Sequence, residues 1–140
     1  MKLPPREKIP EAWSVLADGR IEMGTDQAKI LSSDQRKEYI VYFKDNIYSS
    51  NDSATYWQGY PGYPVLAVLM KQGRIRTQRE IVEQFKDINW HQINEKYKRD
   101  YTAALAFVLE KFKDKKEIEA EIAKEYAELS ELELILRRHR

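Results

Sequence analysis

The sequence predicts an α+β protein: a small antiparallel β-sheet with one buried helix, followed by a helical C-terminal half that ends in a long helix. Three observations predict it. Residues 38–50 are rich in β-branched and aromatic side chains on either side of Asp45-Asn46, as a hairpin requires. The segment between Pro64 and Gly73 is apolar nearly all round, which for a helix means burial. Residues 115–138 contain no Gly or Pro and repeat apolar residues in steps of three and four.

The elements follow in order. Pro4, Pro5 and Pro10 interrupt the start, and a short helix is expected over residues 10–17, with Pro10 at its first position and Gly19 beyond its end. Trp13 and Leu16 anchor it. Residues 21–23 and 28–32 are short strands separated by Gly24-Thr25-Asp26. Residues 38–44 form the strongest strand, and 47–50 return across the turn. Tyr39, Val41 and Phe43 share one face and Ile40 and Tyr42 the other, so the hairpin is expected to be covered on one side and to show tyrosine on the other. Asp52-Ser53 cap a short helix through Tyr56-Trp57, and Gly59, Pro61 and Gly62 force an irregular loop. Thr77 and Glu80 read as a capping box for a helix over 78–86. Trp90, Ile93 and Tyr97 mark a further amphipathic turn or two. Tyr101, Leu105, Val108, Leu109 and Phe112 form a longer stripe. The last stripe is Ile118, Ile122, Tyr126, Leu129, Leu132 and Leu136, about 36 Å of helix at 1.5 Å per residue. The chain divides softly into a mixed module, 1–73, and a helical region, 74–140, packed on it. A single compact domain, 1–140, is the other reading, because residues 71–76 are too short a connection to decouple the halves.

Composition excludes more than it assigns. The 140 residues carry 24 basic and 23 acidic side chains, so net charge marks neither a nucleic-acid nor a membrane partner. Without cysteine there is no disulfide, thiolate metal site, iron–sulfur cluster or cysteine nucleophile. The longest apolar run, residues 65–70, falls far short of the roughly 20 residues a spanning helix needs. The opening MKLPPREKIP lacks the apolar stretch of a signal peptide, so a cytoplasmic location without a membrane partner is expected. His91 and His139 lie far apart, and no G-x-S-x-G, P-loop or G-x-G-x-x-G is present. No catalytic residue, cofactor or metal site is expected, and the protein reads as a non-enzyme.

Residues 39–71 run strand, turn, strand, loop, helix. The strand is Tyr39-Ile40-Val41, the turn Tyr48-Ser49-Ser50-Asn51-Asp52, and the helix start Gly62-Tyr63-Pro64-Val65-Leu66-Ala67-Val68-Leu69. This order resembles the SWIM zinc-binding domain, which joins a hairpin to a helix around a zinc held by C-x-C and C-x-H. The resemblance covers residues 28–71 and aligns the four ligand positions with Tyr48, Ser50, Gly62 and Pro64. None of these is a sulfur or imidazole donor. The resemblance therefore implies a module that has lost its metal. An aromatic cluster of Tyr48, Tyr56, Trp57, Tyr60 and Tyr63 would then hold the hairpin to the helix.

SWIM domains are credited with binding DNA or protein, and the resemblance implies the same here. Lys71, Arg74, Arg76 and Arg79 stand in a stretch with no acid, and Lys37 and Lys44 flank the hairpin. Cations beside aromatic rings suit phosphates and unstacked bases. The first expectation is therefore a binding protein contacting nucleic acid through these six residues. The second is a protein–protein or scaffold module, with residues 115–138 packing within the chain or joining two copies as a homodimer. The third is a small-ligand site in an aromatic pocket around Trp57.

Overall fold

The structure, a computed structural model, describes residues 1–138; His139 and Arg140 lie outside them. Five strands among the described residues form one sheet in the order β1-β2-β3-β4-β5. These are β1 (Ile21–Met23), β2 (Gln27–Leu31), β3 (Glu38–Lys44), β4 (Ile47–Ser50) and β5 (Ile135–Leu136). The first four make an antiparallel meander. The β3–β4 turn bends where expected, with Asp45 at a φ of 54° that its short polar side chain tolerates.

One face of the sheet presents Ala28, Ile30, Val41 and Tyr48, all buried, to two helices. Helix α1 (Lys8–Asp18) packs against α2 (Tyr63–Lys71) over it. Gly19 ends α1 at a φ of 67°, where its N–H reaches back to the Leu16 carbonyl. Helix α2 is buried from Pro64 to Met70, as its all-round apolarity requires. The same core continues into the second half of the chain through Ile75, Phe85, Ile118, Ile122 and Leu129.

The helical half is more broken than expected. Residues 78–86 do not form one helix with a capping box. They form a four-residue α3 (Arg79–Val82) and a 3₁₀ turn (Glu83–Phe85), and the cap position is Gln78 rather than Thr77. Helices α4 (Trp90–Lys96) and α5 (Tyr101–Leu109) start on Asn89 and Asp100, whose side chains accept from backbone N–H groups three residues on. Helix α6 (Lys115–Glu131) is capped likewise by Asp114.

Two expectations about the C-terminus are corrected. The long helix stops at Glu131 rather than reaching Arg138, and the sheet is not purely antiparallel. Leu132 turns extended, and β5 runs parallel to β4, with Ile135 N–H bonded to the Asn46 carbonyl and Arg137 N–H to that of Tyr48. The reason is in the spacing. Leu132, Leu134 and Leu136 also alternate, and Leu134 is buried only if the segment is extended. Strand β5 also satisfies backbone groups that β4 would otherwise leave open at the sheet edge.

Candidate ligand-binding cleft

A cleft of about 520 Å³ opens where α1, the β2–β3 turn, the 52–63 segment with its expected short helix (a π-helical turn, Ala54–Gln58), α4 and α5 meet. Its floor begins with the first turn of α1. Lys8 and Glu11 both face the cleft and are almost wholly buried, with Nζ 3.6 Å from Glu11 Oε1. The ammonium also lies 4.0 Å from the centre of the Tyr101 ring. Burial alone would lower the Lys8 ammonium, but the Glu11 carboxylate and the Tyr101 and Tyr60 phenols outweigh it, holding the group above the ordinary lysine value. Asn94 Nδ2 donates to the same Glu11 oxygen at 2.9 Å, which ties α4 to α1.

The walls carry tyrosine. Tyr39 and Tyr63 meet edge to face at 6.1 Å, and Tyr60 and Tyr101 complete the lining. Burial pushes the Tyr39, Tyr60 and Tyr63 phenols upward, furthest for Tyr63, so at neutral pH each is an uncharged donor. Trp90 closes one side. Its indole N–H donates to Ser14 Oγ at 2.8 Å, and that hydroxyl donates to the Phe85 carbonyl.

The mouth is charged. In the β2–β3 turn Ser32 Oγ donates to Asp34 Oδ1 at 2.6 Å and accepts from Lys37 N–H. The Ser32 hydroxyl and the Arg36 N–H hold the Asp34 carboxyl below its ordinary range. Ser33 accepts from His91 N–H at 2.9 Å, docking this turn on the start of α4. Lysine and arginine exceed acid by one around the cleft: Lys8, Arg20, Arg36, Lys37 and Arg99 against Glu11, Asp34, Asp52 and Glu95. Three of those acids have protein donors. Glu11 has Lys8, Asp34 has Ser32 and Asp52 has Ser50, whereas Glu95 is exposed with the His91 imidazole 3.7 Å away. Arg20 is tied to Asp18 and to the Leu31 carbonyl. Arg36, Lys37 and Arg99 make no ion pair among the described residues.

The five expected aromatic residues do not form one cluster. Tyr48 is buried under α2, donating its hydroxyl to Gln72 Oε1 at 2.6 Å. Tyr56 and Trp57 pair at the surface beneath Arg138, and Trp57 is 68% exposed. Tyr60 and Tyr63 line the cleft, so the pocket lies beside them and not around Trp57. What joins the hairpin to the helix start is a polar chain. Ser50 Oγ donates to Asp52, Asp52 accepts from Thr55 N–H at 3.1 Å, and Thr55 Oγ1 accepts from Gly62 N–H at 2.9 Å.

The six expected cations do not all lie on one surface. Lys37 sits at the mouth of the cleft, whereas Lys44 lies at the other end of β3. Arg74 bridges Tyr48 and Asn46 through hydrogen bonds of 3.1 and 2.7 Å. Arg76 faces Glu128, and Arg79 is paired with Glu83 at 2.8 Å. Lys71 is exposed at the end of α2. Sequence reasoning missed Lys8, Glu11, Asn94 and Tyr101, because only the fold brings them together. One available sign was Lys8 and Glu11, an i,i+3 pair at a helix start.

A family model described as Uncharacterised conserved protein UCP014422 matches residues 1–135. No curated relative and no solved structure matches the chain.

Proposed function

The chain belongs to that family of uncharacterised conserved proteins, and we propose that it is a binding protein for a small polar molecule held in the tyrosine-lined cleft. The observation that carries this reading is the buried Lys8–Glu11 pair in the cleft wall. Two charges taken out of bulk water cost more than apolar side chains of the same size, so they favour a role beyond stability. The cleft volume falls in the range of ordinary ligand sites, and its polar groups converge from five separate segments. A fragment library screened by amide chemical shifts tests the reading. Hits that perturb residues 8–11, 32–39 and 90–101 support it. Hits that collect elsewhere on the surface end it.

Contact with single-stranded nucleic acid is the second reading, and Trp57 favours it. Its ring is exposed, edge-on to Tyr56 and beside the Arg138 guanidinium, an arrangement on which an unstacked base can rest. Three of the six cations first assigned to this role are engaged by Tyr48, Glu128 and Glu83. A short oligonucleotide that fails to bind at about 50 mM salt removes this reading. Assembly of two copies through α6 is less favoured, since Ile118, Ile122 and Leu129 are buried in the chain's own core.

A further inference from the structure

We infer that the cleft takes an oxyanion, a carboxylate or a phosphate on a ring-sized body, with the acid group held at the mouth by Arg36, Lys37 and Arg99. This rests on the cleft being a ligand site, as argued above. The charge balance at the mouth points to it. The carboxylates of Glu11, Asp34 and Asp52 are engaged by protein donors, whereas these three cations make no ion pair among the described residues. An incoming acid therefore meets cations with no carboxylate bound to them, and an incoming ammonium finds every acid but Glu95 already partnered.

The cations are also placed on fixed backbone. Arg36 and Lys37 ride a turn closed by Ser32 and Asp34. Arg99 is held in a left-handed conformation, φ 64°, with its N–H on the Asn94 carbonyl at 2.8 Å. Anchoring the backbone lowers the ordering cost of closing on a ligand. Behind the mouth the phenols of Tyr60, Tyr63 and Tyr101 offer hydroxyl donors and ring surface to the body of the ligand.

Four probes that share one ring separate the possibilities: benzoate, phenyl phosphate, benzyl alcohol and benzylammonium, titrated at low salt and followed by amide shifts. Benzoate or phenyl phosphate is expected to perturb residues 32–39 and 91–101 and to bind at least about tenfold more tightly than benzyl alcohol. Comparing the two anions tells carboxylate from phosphate. The double substitution Lys37→Ala, Arg99→Ala is expected to abolish the tenfold preference, and Arg79→Ala, away from the cleft, to leave it intact. If benzyl alcohol or benzylammonium binds at the cleft as tightly as the anions, the oxyanion assignment is wrong and the cleft remains a ligand site. The assignment also fails if the double variant keeps the anion preference. If none of the four probes perturbs the cleft amides, the ligand-site reading fails with it.

Discussion

Trp13 donates its indole N–H to Glu125 Oε1 at 2.8 Å across 112 residues of sequence, and both side chains are fully buried. The bond joins α1 to α6 beside Glu121, which accepts from Gln78 and faces Lys124. Burial, then the neighbouring Glu121, push the Glu125 carboxyl from its ordinary 4.5 up to about 9. At neutral pH Glu125 is thus protonated.

The folded form holds this proton and the unfolded chain gives it up near the ordinary carboxyl value. The resulting stabilisation is therefore present at acid pH and is lost as pH rises toward about 9, by about 1.4 kcal/mol per pH unit at most. Glu125→Gln keeps an acceptor for Trp13 and removes the titration. Urea midpoints measured from pH 6 to 9 are expected to fall for the native chain and to stay flatter for Glu125→Gln. Equal slopes would show that Glu125 does not hold the proton.

Gly62 is fixed by Asp52. A Cβ at position 62 would lie 2.1 Å from Asp52 Oδ2 and 2.9 Å from its Cγ, well inside contact distance. Asp52 is itself buried and held by Ser50 and Thr55 at the start of α2, where a carboxylate also suits the helix dipole. Gly62→Ala is expected to cost about 1–3 kcal/mol by overpacking. Asp52→Ala costs a similar amount, by leaving the Thr55 N–H unpaired. The double variant should cost clearly less than the two combined, since removing the carboxylate clears the space the new methyl needs. Additive costs in thermal unfolding would refute the contact.

How much of this was legible depends on the range of the interaction. Strands β1, β3 and β4 lie at their expected boundaries, because period-2 patterning and the Asp45 turn are local properties. Residues 132–136 misled, because leucines at 129, 132 and 136 fit a helix while 132, 134 and 136 fit a strand. Only the open edge of β4 decides between them. The Glu121–Glu125 pair was partly visible, since both acids fall on the same helical face as Ile118, Ile122 and Leu129. The cleft was not visible. Glu11 and Asn94 stand 83 residues apart, and no spacing rule joins an early helix turn to α4.

Arg74 illustrates how composition misleads. In sequence it belongs to a basic stretch; in the fold it fastens the β3–β4 turn to the end of α2 through Asn46 and the Tyr48 hydroxyl. Arg74→Ala is expected to cost about 1–2 kcal/mol, near the value of a hydrogen bond to a charged group. Tyr48→Phe removes the shared hydroxyl, so adding it to Arg74→Ala should cost less than it does alone. A loss of stability below a few tenths of a kcal/mol in Arg74→Ala would return this residue to the solvated surface.

The Lys8–Glu11 pair separates stability from function. Replacing one partner leaves the other charge buried, so Lys8→Met alone is expected to destabilise by about 3 kcal/mol. Replacing both, Lys8→Met with Glu11→Leu, removes both desolvation costs and substitutes apolar side chains of similar size. It frees the Asn94 amide and the Tyr101 hydroxyl, both of which the adjoining cleft can hydrate. The double variant should therefore recover most or all of the native stability. If the pair serves a ligand, the same variant loses binding at the cleft although it melts like the native chain. A double variant as unstable as Lys8→Met alone would show that the pair is structural. One that keeps full affinity for a cleft-binding probe would show that the ligand does not use it.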